Sequence, residues 1–302
     1  MTEIEIYGTE RKALIPSSWD EMSAAQIQGI FRIYDECARK GIPTLEFTVR
    51  VLYFLLGIKP SGRALRNRMR FPGRREKFAE NIYRLCDSCL GYLCAEDEDT
   101  GDGAKLAYAS VVNSLPEVRG RFGRPLIGPA DLLQDLSFGE FRHAATALNA
   151  FFHSQNVQDL DECIAHLYRR RSRKANRCGR FVSDADNATF HKDVRRVSRL
   201  RSWQKNLIMM WFAACLNYLQ TDTVIIDGEA VDMAQMFSSD ESKSSDISFN
   251  WNDLLVQIAR DQTIGNIERV DQEPLFSIFS LMWTNYKENQ RNERNRKTDQ
   301  GK

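Results

Sequence analysis

The sequence predicts a mainly α protein built from helical pairs, each a helix–loop–helix, with two small β-hairpins. Three observations lead there. An amphipathic helix, a polar break and a second apolar helix recur about three times, over residues 19–56, 132–168 and 251–283, each opened by a Trp or Leu-Leu. Ser23 with Gln26, and Ser137 with Glu140, have the spacing of a capping box, in which a Ser oxygen accepts from a first-turn amide and the third residue reaches back. Two short segments read as strands: residues 3–7 alternate polar and apolar, and residues 223–231 set β-branched side chains around Asp227-Gly228, the preferred pair for a two-residue hairpin turn.

In chain order, residues 12–15 return as the partner of the first strand, and Pro16 ends it. The helix after Ser23 places Ile27, Ile30, Phe31 and Tyr34 on one face, at steps of three and four. Gly41-Ile42-Pro43 breaks it, with Thr44 as the next cap. Residues 45–56 are apolar nearly all round, so this helix is expected to be central and better buried than its predecessor. In the second unit Phe141, Ala144, Ala145 and Leu148 form the apolar face, and residues 156–158 break the helix. With one residue of offset, Leu160, Ile164, Leu167 and Tyr168 fall opposite Leu45, Val49, Leu52 and Tyr53. Either a duplication or chance likeness of two amphipathic pairs explains this. Residues 95–103 are acidic loop, 104–127 a short element with a Gly/Pro/Arg-rich connector, and 169–187 a basic loop. Residues 189–219 hold one or two long helices, 238–248 a Ser/Asp-rich linker, and the tail after Tyr286 lacks an apolar face and is expected to be disordered. The expected units are therefore 1–103, 104–220 and 221–286, with a tail at 287–302.

Composition is that of a globular chain: 42% hydrophobic and 27% charged over 302 residues, with a net charge of +1. That near-neutrality hides segregation. Residues 59–84 carry nine basic and two acidic side chains, residues 169–205 thirteen and three, so these windows hold +17 and the remainder −16. Arg63, Arg66, Arg70 and Arg74 would form one stripe on a helix, and Arg169, Arg170, Arg171, Arg173 and Lys174 form a compact cluster. Nearby aromatics are few (Phe71, Phe78, Phe181), which favours protein contact over base stacking. Phe276, Phe279 and Trp283 are candidate apolar anchors for a partner, although core packing is their simpler use.

No catalytic residue, metal or cofactor is expected. Cys86, Cys89 and Cys94 supply three candidate ligands where zinc or iron–sulfur sites want four, and their spacing reads as the buried side of a helix. Cys163 and His166 are three apart, but nothing else in the chain completes a nucleophile site. His143, His153 and His191 are scattered. Gly-x-Ser-x-Gly, P-loop and Gly-x-Gly-x-x-Gly signatures do not occur. No secretion leader or membrane span is expected, the longest apolar run being the ten residues 207–216. An odd count of seven cysteines points to reduced thiols and a cytoplasmic setting.

The order of IPSSWDEMSAAQ (residues 15–26), DLSFGEFRHA (135–144), IAHLYRRRSR (164–173), NWNDLLVQIARDQTIGNIERV (250–270) and PLFSIFSLMW (274–283) resembles proteins of the tail-gene regions of phages and prophages of gut anaerobes. Those are often read as tail assembly chaperones. The resemblance implies a non-enzymatic protein, made in the host cytoplasm, that binds a phage tail protein before or during assembly; the charge segregation offers either that partner or acidic segments of other copies of the chain. This chain is longer and richer in arginine than typical tail chaperones, which leaves a virion-associated structural role open. The alternative is a phage nucleic-acid-binding or packaging-associated protein using 63–75 and 169–180.

Overall fold

The computed structural model describes residues 1–5, 12–58, 72–94, 105–120, 124–183, 187–237, 255–256, 258 and 266–300. It is mainly helical, with short antiparallel strand pairs. Its described residues group into two compact units, 1–110 with 202–207, and 111–201 with 208–302.

In the first unit, β1 (Thr2–Glu5) pairs antiparallel with β2 (Lys12–Ile15), Thr2 opposite Ile15. Trp19 then enters an aromatic nest with Phe31, Tyr92 and Tyr108, the Tyr108 ring 4.8 Å away. Its indole Nε1 donates to the Ala107 carbonyl at 2.7 Å, so burying the ring leaves no orphaned donor. Helix α1 (Ala24–Lys40) starts at the expected capping box of Ser23 and Gln26 and stops at Gly41, whose φ of +60° suits glycine. Ile27, Ile30 and Phe31 are buried and Tyr34 half-buried, as the periodicity requires.

Helix α2 (Thr44–Leu55) departs from expectation twice. Pro43, not Thr44, sits at the cap, and Thr44 is the first helical residue. The helix also buries only Phe47, Val51 and Leu52, fewer than α1, and leaves Leu45 47% exposed. An all-round apolar sequence needs neighbours on all sides to be central. Here α2 packs against α1 and α3 (Pro72–Leu90). Phe54 is exposed but lies over Gly29 of α1, where a Cβ would come within 2.1 Å of its ring.

In the second unit, α4 (Phe138–Ser154) and α5 (Val157–Leu167) form the tightest pair. Ser137 and Glu140 make the capping box, Gln155 turns the chain in the left-handed region, and Asn156 caps α5 through its side chain. Phe141, Ala144, Ala145, Leu148, Leu160, Ile164 and Leu167 are all buried. Asp271 of α9 (Ile267–Gln272) approaches Gly139 so closely that a Cβ there would meet its atoms at 2.8–3.0 Å.

The two pairs do not superpose in role. Leu160 is 5% exposed, against 47% for Leu45. Tyr168 is fully buried at the end of α5, donating to Leu115 O at 2.9 Å beneath Gly128, whereas Tyr53 is half-buried within α2. The matched spacing thus reflects helix amphipathicity more than shared packing. The first helix of the 251–283 unit falls mainly outside the described residues.

A three-stranded sheet that the sequence did not foretell joins β3 (Glu117–Val118), β4 (Leu126–Ile127) and β5 (Arg169–Arg170). Strands of two residues are too short to display an alternation. Residues 189–219 resolve into α6 (Asn187–Val197) and α7 (Ser202–Thr221). The hairpin of β6 (Thr223–Ile226) and β7 (Glu229–Asp232) turns at Asp227 and Gly228, with φ of +51° and +82°, as a two-residue turn with both central residues left-handed requires. After α8 (Met233–Phe237), the last helix, α10, spans Leu275–Gln300. The tail expected to be disordered is helical to residue 300. Glu, Gln, Lys and Arg lose little freedom in a helix, and extending a packed helix avoids the cost of nucleation.

Candidate interaction surface

The basic cluster that follows α5 is divided by the fold. Residues 167–171 pass from helix to strand, and strand alternation sends neighbours to opposite sides. Arg169 is 1% exposed, with Nε 3.6 Å from Glu140 Oε1 and its guanidinium 5.9 Å from the Phe190 ring. Arg170 is half-buried, its Nε 2.9 Å from Oδ1 of the fully buried Asp193 on α6. Arg171 is exposed, 3.7 Å from Glu117, and Arg173 and Lys174 are exposed. Further on, Arg180 turns inward. Its Nη2 donates to the carbonyls of Ile127 and Leu167 at 3.0 and 2.8 Å, and Nη1 lies 3.5 Å from Glu140 Oε2.

Glu140 therefore serves as a helix cap and as the shared counter-ion of two buried guanidiniums. Burial pulls the Arg169 pKa down, and Glu140 and Asp193 oppose that. At 3.5–3.6 Å these are Coulombic contacts rather than short hydrogen bonds. Paired buried charges of this kind are costly to break singly. Arg169, Arg170 and Arg180 are thus architectural, and the fold separates Arg169 and Arg170 from Arg171, Arg173 and Lys174, with which the sequence grouped them as candidate contact residues. Arg63, Arg66 and Arg70 lie outside the described residues, and Arg74 falls within α3.

Next to this network, the rings of His143 and His166 stack at 5.1 Å, and His166 stacks on Phe190 at 4.4 Å. Desolvation, then Arg169, pushes the His166 pKa down to about 3, so the imidazole is neutral at neutral pH. His143 is also lowered, by desolvation and then Arg142, whose Nη2 donates to its Nε2 at 3.2 Å. Arg142 is itself held by Asp271 at 2.8 Å. Sequence reading saw four scattered histidines and missed Glu140, Arg180, Asp193 and Phe190. The available signals were the acidic cap residue of α4 and the i, i+3 pair Phe190 and Asp193 on one face of α6.

Five of the seven thiols are buried, and Cys94 and Cys178 are half-buried. Cys163 is fully buried and its pKa strongly raised by desolvation, and Cys86, on the buried side of α3 with Cys89, is pushed up to about 11. Such thiols stay protonated and are poor nucleophiles. Among the described residues no group of three or more His, Cys, Asp or Glu is placed to hold a metal ion.

Of the apolar candidates, Phe279 is fully buried, its ring 6.4 Å from Phe141, and is core rather than an anchor. Phe276 and Trp283 are half-buried. Trp283 is engaged within the unit, its Nε1 donating to Glu229 at 3.0 Å and its ring stacked on Tyr286 at 5.5 Å. Elsewhere Phe152 and Val157 stand 41% and 57% exposed on either side of the α4–α5 turn. No described helix is long and apolar enough to cross a membrane. No known protein family, curated protein or solved structure matches the chain.

Proposed function

We propose that this chain is a non-enzymatic phage protein that binds a tail component during tail assembly in the host cytoplasm, either as a chaperone or as a structural member of the tail region that enters the virion. The observation that carries the reading is a division of labour among side chains. Several side chains of reactive type are internal and held: Cys163 in the core, His166 stacked between rings, and Arg169, Arg170 and Arg180 on carboxylates. Large apolar side chains, by contrast, stand outside at Phe152 and Val157 on a rigid helical turn. Desolvated apolar anchors dominate most protein interfaces, and a rigid helix pair presents them at little entropic cost. The resemblance of residues 135–173 and 250–283 to tail-region proteins supplies the partner class.

The test is co-purification of tagged chain from phage-producing cells after nuclease treatment, with bound proteins identified by mass. A stoichiometric tail protein, lost with Phe152→Asp and Val157→Asp, is the expected result. Recovery of the chain without any tail protein overturns the reading.

A further inference from the structure

We propose that residues 171–181, together with Arg119, form a binding surface for single-stranded nucleic acid. This does not rest on the tail-assembly reading. The segment holds Arg171, Arg173, Lys174, Arg177 and Arg180 and no acidic residue. Its shape is fixed from within. Arg171 and Val182 pair across its base, Ser172 N donates to Phe181 O at 2.8 Å, and Asn176 N donates to Arg180 O at 2.8 Å. The Asn176 side chain accepts from the amides of Cys178 and Arg180, and Gly179 turns the tip at φ +81°. Arg180 roots the segment in the core through the Ile127 and Leu167 carbonyls.

What this scaffold presents is a ring among cations. Val182 is buried, and Phe181 beside it points the other way, 61% exposed, with no ring partner among the described residues. Arg171, Arg173 and Lys174 are exposed, and Arg177 is matched by Glu273 at 3.2 Å. Arg119 joins through Glu117, which lies 2.7 Å from Arg119 and 3.7 Å from Arg171. Arg119 and Arg171 thus share one carboxylate, and Arg173 and Lys174 add two exposed cations beside them in sequence. Gly120 lies beside the chain that leaves α6, since a Cβ there would be 3.7–3.9 Å from the Arg199 Cβ and the Arg199 and Arg196 carbonyl oxygens.

The combination selects the ligand. Phosphates along a strand answer the cations, and an unstacked base answers the exposed ring. A duplex hides its base faces, and an acidic peptide would use the cations while leaving Phe181 idle. Arg169 and Arg170 do not belong to this surface, so replacing the whole arginine run would test the fold instead of the binding.

The experiment is fluorescence anisotropy of the full chain with labelled oligo(dT) of about 16 nucleotides, at the upper end of single-strand site sizes, beside a duplex and a glutamate-rich peptide of similar length. Oligo(dT) should bind tightest, with a log–log salt slope of about −2, as for roughly three neutralised phosphates on a single strand. Phe181→Ala should weaken binding about tenfold or more with the slope unchanged. Arg173→Ala with Lys174→Ala should make the slope shallower by about one unit. Circular dichroism confirms folding, and Phe181→Trp should retain affinity with its added fluorescence quenched by oligo(dT). The proposal is overturned by absent binding, by a flat salt dependence, by Phe181→Ala without effect, or by the acidic peptide binding as tightly as oligo(dT).

Discussion

Glu140→Gln isolates the charge that the buried arginines share. Glutamine keeps the size and the capping-box acceptor, so α4 still starts with its first-turn amide satisfied. What disappears is the anion 3.6 Å from Arg169 and 3.5 Å from Arg180. Each contact is worth roughly 5 kcal/mol of gross Coulomb energy at an effective dielectric constant of about 20. Most of that offsets the desolvation of the ions, so the pair is not a net gain of that size. Removing one partner is different, because the cost of burying the other charge remains. Arg180 retains Asp135 at 3.7 Å and two carbonyl acceptors, while Arg169 keeps, among the described residues, the Phe190 ring and the more distant influence of Asp193. The expected loss is about 3–5 kcal/mol, read as a shift of the urea midpoint of the second unit by circular dichroism and tryptophan fluorescence. Ser137→Ala, which removes the cap and leaves the charges, should cost only about 1 kcal/mol. If Glu140→Gln costs no more than Ser137→Ala, the arginines are not held by charge and the reasoning fails.

Three further outcomes follow from the same geometry. His166 is neutral in the fold and takes up a proton in the unfolded chain below its ordinary pKa of about 6.5, so stability is full above that pH and falls as the pH drops towards about 3; at pH 5 the loss should be at most about 2 kcal/mol, and His166→Gln should flatten a melting profile taken across that window. Gly139→Ala should destabilise by about 1–3 kcal/mol in thermal or urea unfolding, because its Cβ would meet Asp271 atoms at 2.8–3.0 Å, backbone oxygen included. Of the seven thiols, buried Cys37, Cys86, Cys89, Cys163 and Cys215 should react with a disulfide reagent only after unfolding, while half-buried Cys94 and Cys178 react first in the native chain.

The helices were legible wherever a cap and a one-sided apolar face coincided. Ser23 and Ser137 marked two starts, and Gly41 and Asp227-Gly228 marked turns, because these positions obey local chemistry. Burial of α2 was not legible, since Leu45 and Phe54 are as apolar as core residues and only their neighbours decide exposure. The likeness of Tyr53 and Tyr168 misled for the same reason: spacing records a helix face, not what packs on it. At the interaction surface, charge counting found the 169–174 cluster but could not divide it. The division depends on Glu140 and Asp193, distant in sequence, and on β5, too short to leave a pattern. Phe181 looked like a lone aromatic in a basic loop; its exposure beside buried Val182 comes from a bridge to Arg171 that only the fold supplies.

The central claim, that the chain acts in tail assembly by binding a tail component, is tested most directly by deleting its coding sequence from a producing phage and imaging the lysate by electron microscopy. Heads without tails, or with aberrant tails, restored by the chain supplied in trans but not by a Phe152→Asp, Val157→Asp variant that folds normally, are the predicted result. Infectious particles with normal tails in the absence of the chain would contradict it.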